Sequence, residues 1–371
     1  MRIVQLLPDM DKGETAGTVL DFATELVRQG HESTVISADG ALVSRLTLHG
    51  SEHISMPVHK ASWRRPGMAG RLRRLLRRLG ADVLHAYGPR ASWLAWRAWR
   101  GMPERARPKL VTALHEWPQP RLIRGRIVNR ALARGELVVT PSEQLSGALH
   151  QRYSSVLSAV PPVVYRGVNT REMDRDAPVS GHWHQRLLNQ YPQLEGRHWL
   201  LLPAPVGPGC GQEAFLQLLK QLSLEREDIF GLIVGEVQSG QEKFARSLER
   251  RAADIGLSDK VLFLGNRRDM REFYATARIT YQFSEGASGR AVAQALAMGC
   301  PVITCSNGVG REMTQRCFPQ GVCVELDLAK IQAVTLDILA NAEPVRFDGF
   351  SLEETTGQML ALYAGESAVP A

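Results

Sequence analysis

An apolar segment, Ile279–Phe283, runs directly into Ser284-Glu285-Gly286-Ala287-Ser288-Gly289-Arg290. The small side chains at Ser284, Gly286, Ser288 and Gly289 let backbone approach a ligand closely. A helical pattern starts at once over Arg290–Met298. The unpaired amides and the positive dipole end of that helix therefore face whatever the loop holds. A diphosphate or a sugar hydroxyl suits such a place, and Arg290 adds a fork of donors. The plainer alternative is a strand–turn–helix in which glycine serves geometry and Arg290 is solvated.

A second concentration of chemistry is positive charge. The chain has 371 residues and a net charge of +7. Residues 1–165 carry 24 Lys/Arg against 13 Asp/Glu, whereas residues 166–371 carry 21 against 25. Arg64, Arg65, Arg71, Arg73, Arg74, Arg77 and Arg78 share one window beside Trp63, and Trp93, Trp96, Arg97, Trp99 and Arg100 follow. Trp and Arg on amphipathic helices suit an anionic membrane face or an acceptor rich in phosphates. Arg64, Arg71, Arg74, Trp96 and Arg97 are the candidate acceptor or membrane residues. No nucleic-acid-binding fold signature accompanies them, so nucleic acid is not an expected partner. The five cysteines, Cys210, Cys300, Cys305, Cys317 and Cys323, are odd in number and match no zinc-ligand spacing. Free, mostly buried thiols are expected.

The elements that position these residues alternate strand and helix. Residues 1–166 read as one such domain and 197–345 as another. A Gly-, Asn-, Asp- and Pro-rich stretch, 167–196, reads as a linker between them. Residues 346–371 hold a last helix, expected to pack back on the first domain, and a tail. Short strands split by long helices argue for parallel sheets covered on both faces. The fold class is therefore α/β, with two Rossmann-like doubly wound domains facing a cleft. No apolar run is long enough to span a bilayer, and the N-terminus lacks a signal-peptide pattern, so a cytoplasmic location is expected.

The run Phe283–Thr304 resembles the donor-binding segment of the retaining glycosyltransferases of family four, which have the GT-B fold. Gly30-His31, Ala81–Ala86, Thr112–His115, Val138–Glu143, Tyr165–Asn169, Val261–Gly265 and Gly308–Glu312 resemble further family segments in order. The flavour is that of the enzymes that build the core of bacterial lipopolysaccharide. The resemblance implies an enzyme that moves a sugar, hexosyl or similar, from a nucleotide-sugar donor to a lipopolysaccharide core or related glycolipid acceptor. It implies retention, no metal or other cofactor, and a peripheral place on the inner face of the inner membrane. His115, which the resemblance places on the transferred sugar, and Glu285 are the candidate catalytic residues, and Gly13, Arg268, Ser288, Gly289, Arg290 and Gln294 are the candidate donor-binding residues.

The sequence also departs from that pattern. Gln294 and Gly286 stand where the family has two glutamates, and Glu285 is one position early. Pro205 and Cys210 stand in the loop 203–212 where the family has an arginine and a lysine. Lys12-Gly13 replaces a glycine pair, and Glu116 follows His115. Lys12, Arg267, Arg268 and Arg290 are the cations expected to substitute. The rival expectation is an impaired relative that binds sugar nucleotide or glycan and supports a partner enzyme. His85 is expected to pack or hydrogen-bond locally.

Overall fold

The computed structural model describes residues 1–11, 13–61, 66–114, 129–284, 289–305, 307–323, 325–341 and 343–366. Contacts divide the chain into two compact units, Met1–Gly167 with Gly349–Ala371, and Val168–Asp348. The first unit holds β1 (Arg2–Asp9), α1 (Glu14–Arg28), β2 (Glu32–Ala38), α2 (Val43–Leu48), β3 (Glu52–Ser55), α3 (Pro66–Leu79), β4 (Val83–Tyr87), α4 (Gly88–Arg100), β5 (Lys109–Ala113), β6 (Leu137–Val139) and α5 (Glu143–Tyr153). The second begins with α6 (Gly181–Gln190), β7 (His198–Pro203), α7 (Gln212–Glu225), β8 (Ile229–Val234), α8 (Glu242–Asp254) and β9 (Val261–Phe263). It continues with α9 (Met270–Thr276), β10 (Ile279–Gln282), α10 (Arg290–Ala297), β11 (Val302–Thr304), α11 (Val309–Cys317) and α12 (Leu328–Ala340). The chain then returns to the first unit in α13 (Leu352–Ala364).

All paired strands run parallel. The first sheet has the order β3-β2-β1-β4-β5-β6 and the second β11-β10-β7-β8-β9. Each reverses its strand order once, between β1 and β4 and between β7 and β10. Every residue of β4 and of β8 is buried, as expected for parallel strands covered on both faces. In the first unit Val4, Leu6, Leu84 and Leu110 pack against Leu72 and Leu76 of α3 and Leu94 of α4. Ile3, Val83 and Val111 cover the opposite face with Phe22 and Leu26 of α1 and with Met359 and Leu362 of α13. Burial of this kind contributes roughly 1.5–3 kcal/mol per large apolar side chain.

The docking of α13 has a polar component. Ser351 and Glu354 form a capping box at its start. The Tyr363 hydroxyl lies 2.6 Å from His85 Nδ1, and Lys109 Nζ donates to the Leu362 and Tyr363 carbonyls at 2.8 and 3.1 Å. The Tyr87 hydroxyl joins the buried group, donating to Gln5 Oε1 at 2.9 Å. Gly167 approaches the start of α13 so closely that a Cβ there would lie 2.6 Å from Leu352 Cα.

Several expected boundaries differ. Residues 168–196 are not a separate linker but part of the second unit. Within them α6 points the Trp183 indole N–H at Asp269 (2.6 Å), and Arg271 returns to the carbonyls of Asp174 and Ala177. Only Trp183 and Leu187 are buried on α6, a seam too narrow to read as an amphipathic stripe. Outside the named strands, Thr140 bridges in parallel to Val163 and Thr304 to Val322.

Tyr363→Phe removes a hydroxyl from the buried His85 group, and the expected cost is about 1–3 kcal/mol in the first unit. Hydrogen exchange of the β4 amides in denaturant measures it, and unchanged protection would contradict this account of α13.

Candidate functional site

Ligands of open parallel sheets sit beyond the carboxyl ends of the strands, where strand order reverses. In the second unit the loops bordering that point follow β7 and β10. Three helices start from glycine caps at this edge. Gly211 (φ +93°) precedes α7, Gly289 (φ +75°) precedes α10 and Gly308 (φ +108°) precedes α11. Glycine offers no side-chain acceptor, so none of the three caps bonds the first amides of its helix through a side chain.

Close approach holds these starts in place. A Cβ at Gly211 would lie 2.7 Å from Phe283 Cβ, and one at Gly289 would lie 2.8 Å from Val309 Cγ1 and 3.2 Å from Gly310 N. A Cβ at Gly310 would lie 2.0 Å from Gln282 Oε1. The arrangement is a nest of positive helix ends suited to an anion.

Gly289, Arg290 and Gln294 come together here. Arg290 is exposed at the first residue of α10, and half-buried Gln294 is one turn on, on the same helical face. Arg268 is exposed on the loop after β9, at the same carboxyl edge but two strands from the reversal. Arg267, expected as a substitute cation, has a structural job. Asp269 accepts from its Nε and Nη2 at 2.9 and 2.6 Å, and its guanidinium lies over Phe273. Burial pushes the Asp269 carboxyl up, but the hydrogen bonds from Arg267 and Trp183 outweigh it and hold the group below the usual carboxylate range.

The loop after β7 carries no basic side chain. Gln212 Nε2 donates to the Pro205 carbonyl at 2.8 Å and fixes its course. Cys210 is half-buried, with its thiol pushed up by burial. The expected residues Lys12, Arg64, His115, Glu285 and Ser288 lie outside the described residues.

In the first unit Gly13 caps α1 in an extended conformation (φ −166°) open to any residue, and a Cβ there would meet nothing within 4 Å. It leaves open space over the first turn of α1, beside the β1/β4 reversal. A separate, mostly apolar cavity of about 70 Å³ lies between α1, the ends of β4–β6 and α13. Asp21, His85, Tyr87, Arg166 and Met359 help line it, with Arg166 Nη2 3.7 Å from Asp21 Oδ2. Its residues are scattered from 18 to 359, so no local pattern announces it.

The basic face is partly a packing device. Arg71 and Arg74 are exposed on α3, with Arg71 donating to the Ser55 carbonyl at 3.3 Å. Trp96 is half-buried between the guanidinium groups of Arg100 (5.5 Å) and Arg134 (4.1 Å), and Arg97 lies over Trp93 (5.1 Å). The Trp99 indole N–H donates to the Pro108 carbonyl at 2.9 Å. Trp96, expected on an acceptor or membrane face with Arg97, packs in part against the core, and Arg97 lies over Trp93. Among the described residues no helix is long and apolar enough to cross a membrane.

The sequence model of the family described as Glycosyltransferase Family 4 matches residues 16–172, and that described as Glycosyl transferases group 1 matches residues 208–341. The chain is a glycosyltransferase of the GT-B fold. This glycosyltransferase is similar to a glycosyltransferase from Rickettsia africae (20% identity, 98% of each chain covered, TM-score 0.74). It is also similar to Anabaena HepE, solved in complex with UDP (17% identity, 98% of this chain and 95% of that one, TM-score 0.74). A third likeness is to WaaG, a glycosyltransferase involved in lipopolysaccharide biosynthesis (15% identity, 98% and 95%, TM-score 0.64). No curated protein matches the sequence.

Gly289→Ala must place a Cβ in a left-handed conformation, about 1–2 kcal/mol by itself, and against Val309 as well. A lower melting temperature of the second unit is expected in calorimetry. The depressed Asp269 carboxyl makes a second prediction. Its contribution to stability is complete above the ordinary aspartate value of 3.8 and is lost as pH falls through the lower folded value. Acid titration of Asp269→Asn against the parent should therefore converge below that range, and a constant difference would refute the clamp.

Proposed function

We propose that this glycosyltransferase binds a nucleoside-diphosphate sugar at the starts of α7, α10 and α11 and passes the sugar to a lipopolysaccharide core or related glycolipid. The observation that carries the reading is the set of three glycine-capped helix starts at the β7/β10 reversal. The likeness to structures solved with UDP and with UDP-glucose supports the donor class, and the likeness to WaaG supports the acceptor class. As the glycosidic bond breaks, the leaving diphosphate gains negative charge. Oriented amides and Arg290 offset it without reorganising. Gln294 hydrogen-bonds the ribose, Arg268 supplies a second cation, and Gly13 leaves room for phosphate over α1. His115 and Glu285 contact the transferred sugar, whose configuration is retained, and no metal takes part. Exposed Arg71 and Arg74 hold anionic headgroups at the inner face of the inner membrane, with the protein peripheral on its cytoplasmic side.

One observation favours the second reading, a relative that binds donor or glycan without turnover and supports a partner enzyme. The loop after β7 has no cation, and Arg267 is bound by Asp269. Losing one such electrostatic donor typically costs on the order of 10²–10³ in rate.

Thermal shift with UDP and transfer to a lipopolysaccharide extract decide between them. The expected result is a UDP-dependent rise in melting temperature, with turnover reduced about 10²-fold in Arg290→Ala and less in Gln294→Ala. Binding without turnover supports the second reading. Turnover that survives both substitutions would refute the site.

A further inference from the structure

Two of the cysteines meet across a strand pair. β11 ends at Thr304, which bridges in parallel to Val322. Cys323 N donates to the Thr304 carbonyl at 2.9 Å, and Cys305 N to the Gln282 carbonyl at 3.1 Å. Cys305 and Cys323 are therefore the next residues in step on neighbouring parallel segments. Residues in step point to the same face, and parallel chains lie about 4.8 Å apart. That spacing falls within the roughly 4.4–6.8 Å Cα separation a disulfide spans.

The thiols are already in hydrogen-bond contact, both unoxidised. Cys305 is half-buried and Cys323 buried. The Cys305 thiol donates to Cys323 and, with Lys330, outweighs burial and Asp327 to hold Cys323 down at about 7. The same bond drives Cys305 far up. Of the two, Cys323 is the one that gives up its proton more readily. The other three thiols are placed differently. Cys300 is buried against Thr280 and the Ala277 carbonyl, Cys317 is on α11, and Cys210 follows β7.

We propose that Cys305 and Cys323 are an oxidation site that closes to an intramolecular disulfide with a low-molecular-weight disulfide as oxidant. Cys305, the more exposed member, attacks one sulfur of the oxidant while its proton passes to the Cys323 thiolate. The oxidant's S–S bond breaks, one small thiolate leaves, and a mixed disulfide remains on Cys305. Cys323 then gives up its proton to the departing thiolate and attacks the Cys305 sulfur, expelling the second small thiolate, which takes a proton from water. One protein disulfide replaces one small disulfide, and two electrons pass from the protein to the oxidant. The bond encloses the whole of α11, whose first turn packs against Gly289, in one covalent loop. Oxidation therefore stiffens the anion-binding edge of the second unit.

The test incubates the full chain with oxidised glutathione, alkylates the remaining thiols and maps the peptides by mass. The expected outcome is a 305–323 linked peptide, joint loss of alkylation at those two positions, and reversal by dithiothreitol. The melting temperature should rise by on the order of 5 °C, and not in Cys305→Ser or Cys323→Ser. Cys323→Ser places a hydroxyl in a buried position, so Cys305→Ser, at the more exposed member, is the control that keeps its fold. Both thiols alkylating fully after oxidation would overturn the proposal. So would a stable glutathione adduct on Cys305 without the linked peptide.

Discussion

At Gly289 the backbone of one helix start lies against another: a side-chain carbon there would meet Val309 Cγ1 at 2.8 Å and the Gly310 nitrogen at 3.2 Å. From that approach the second unit takes its character. It sets α10 and α11 side by side with their positive ends together, and the Gly211–Phe283 contact brings α7 to the same edge. Like dipole ends repel. The sheet packing behind them holds the arrangement regardless, because Val302, Ile303, Ala293 and Leu296 are fully buried. The geometry of this edge is therefore fixed by the packing behind it.

Much of this was legible from residue order. Buried strands followed by helices of ten or more residues forced parallel sheets, and small residues before Arg290 located one bordering loop. What escaped was set by contacts distant in sequence. Arg267 reads as a free cation until Asp269, two residues on, is seen to accept from its Nε and Nη2 while Trp183 donates to the same carboxylate. The cavity beside Asp21 and Arg166 draws its walls from six separate segments. The Cys305–Cys323 contact depends on a single bridge that no local pattern marks. Helix α6 looked like linker because burial of two side chains needs little hydrophobicity.

Charge composition misled in a different way. The basic first half suggests a wide anion-binding face, yet many of its arginines are packing residues. Arg73 donates to the Ala98 carbonyl, Arg107 to the Met102 carbonyl, and Arg134 covers Trp96. A guanidinium lies flat on an indole and still keeps its edge in water, so arginine can roof a helix that a neutral residue would leave exposed. Among the described residues, the arginines Arg71, Arg74, Arg77 and Arg78 of α3 are exposed together on one helix.

The bond between Tyr363 and His85 joins positions 278 residues apart, and the Lys109 contacts to the end of α13 span a similar distance. One face of the first sheet is thus completed by a segment that leaves the ribosome only after the entire second unit has been made. During synthesis the earliest strands wait with Val83, Val111 and His85 uncovered on that face. The domain begun first is the last to be sealed, and a nascent chain stopped before α13 presents an open apolar flank to holding chaperones.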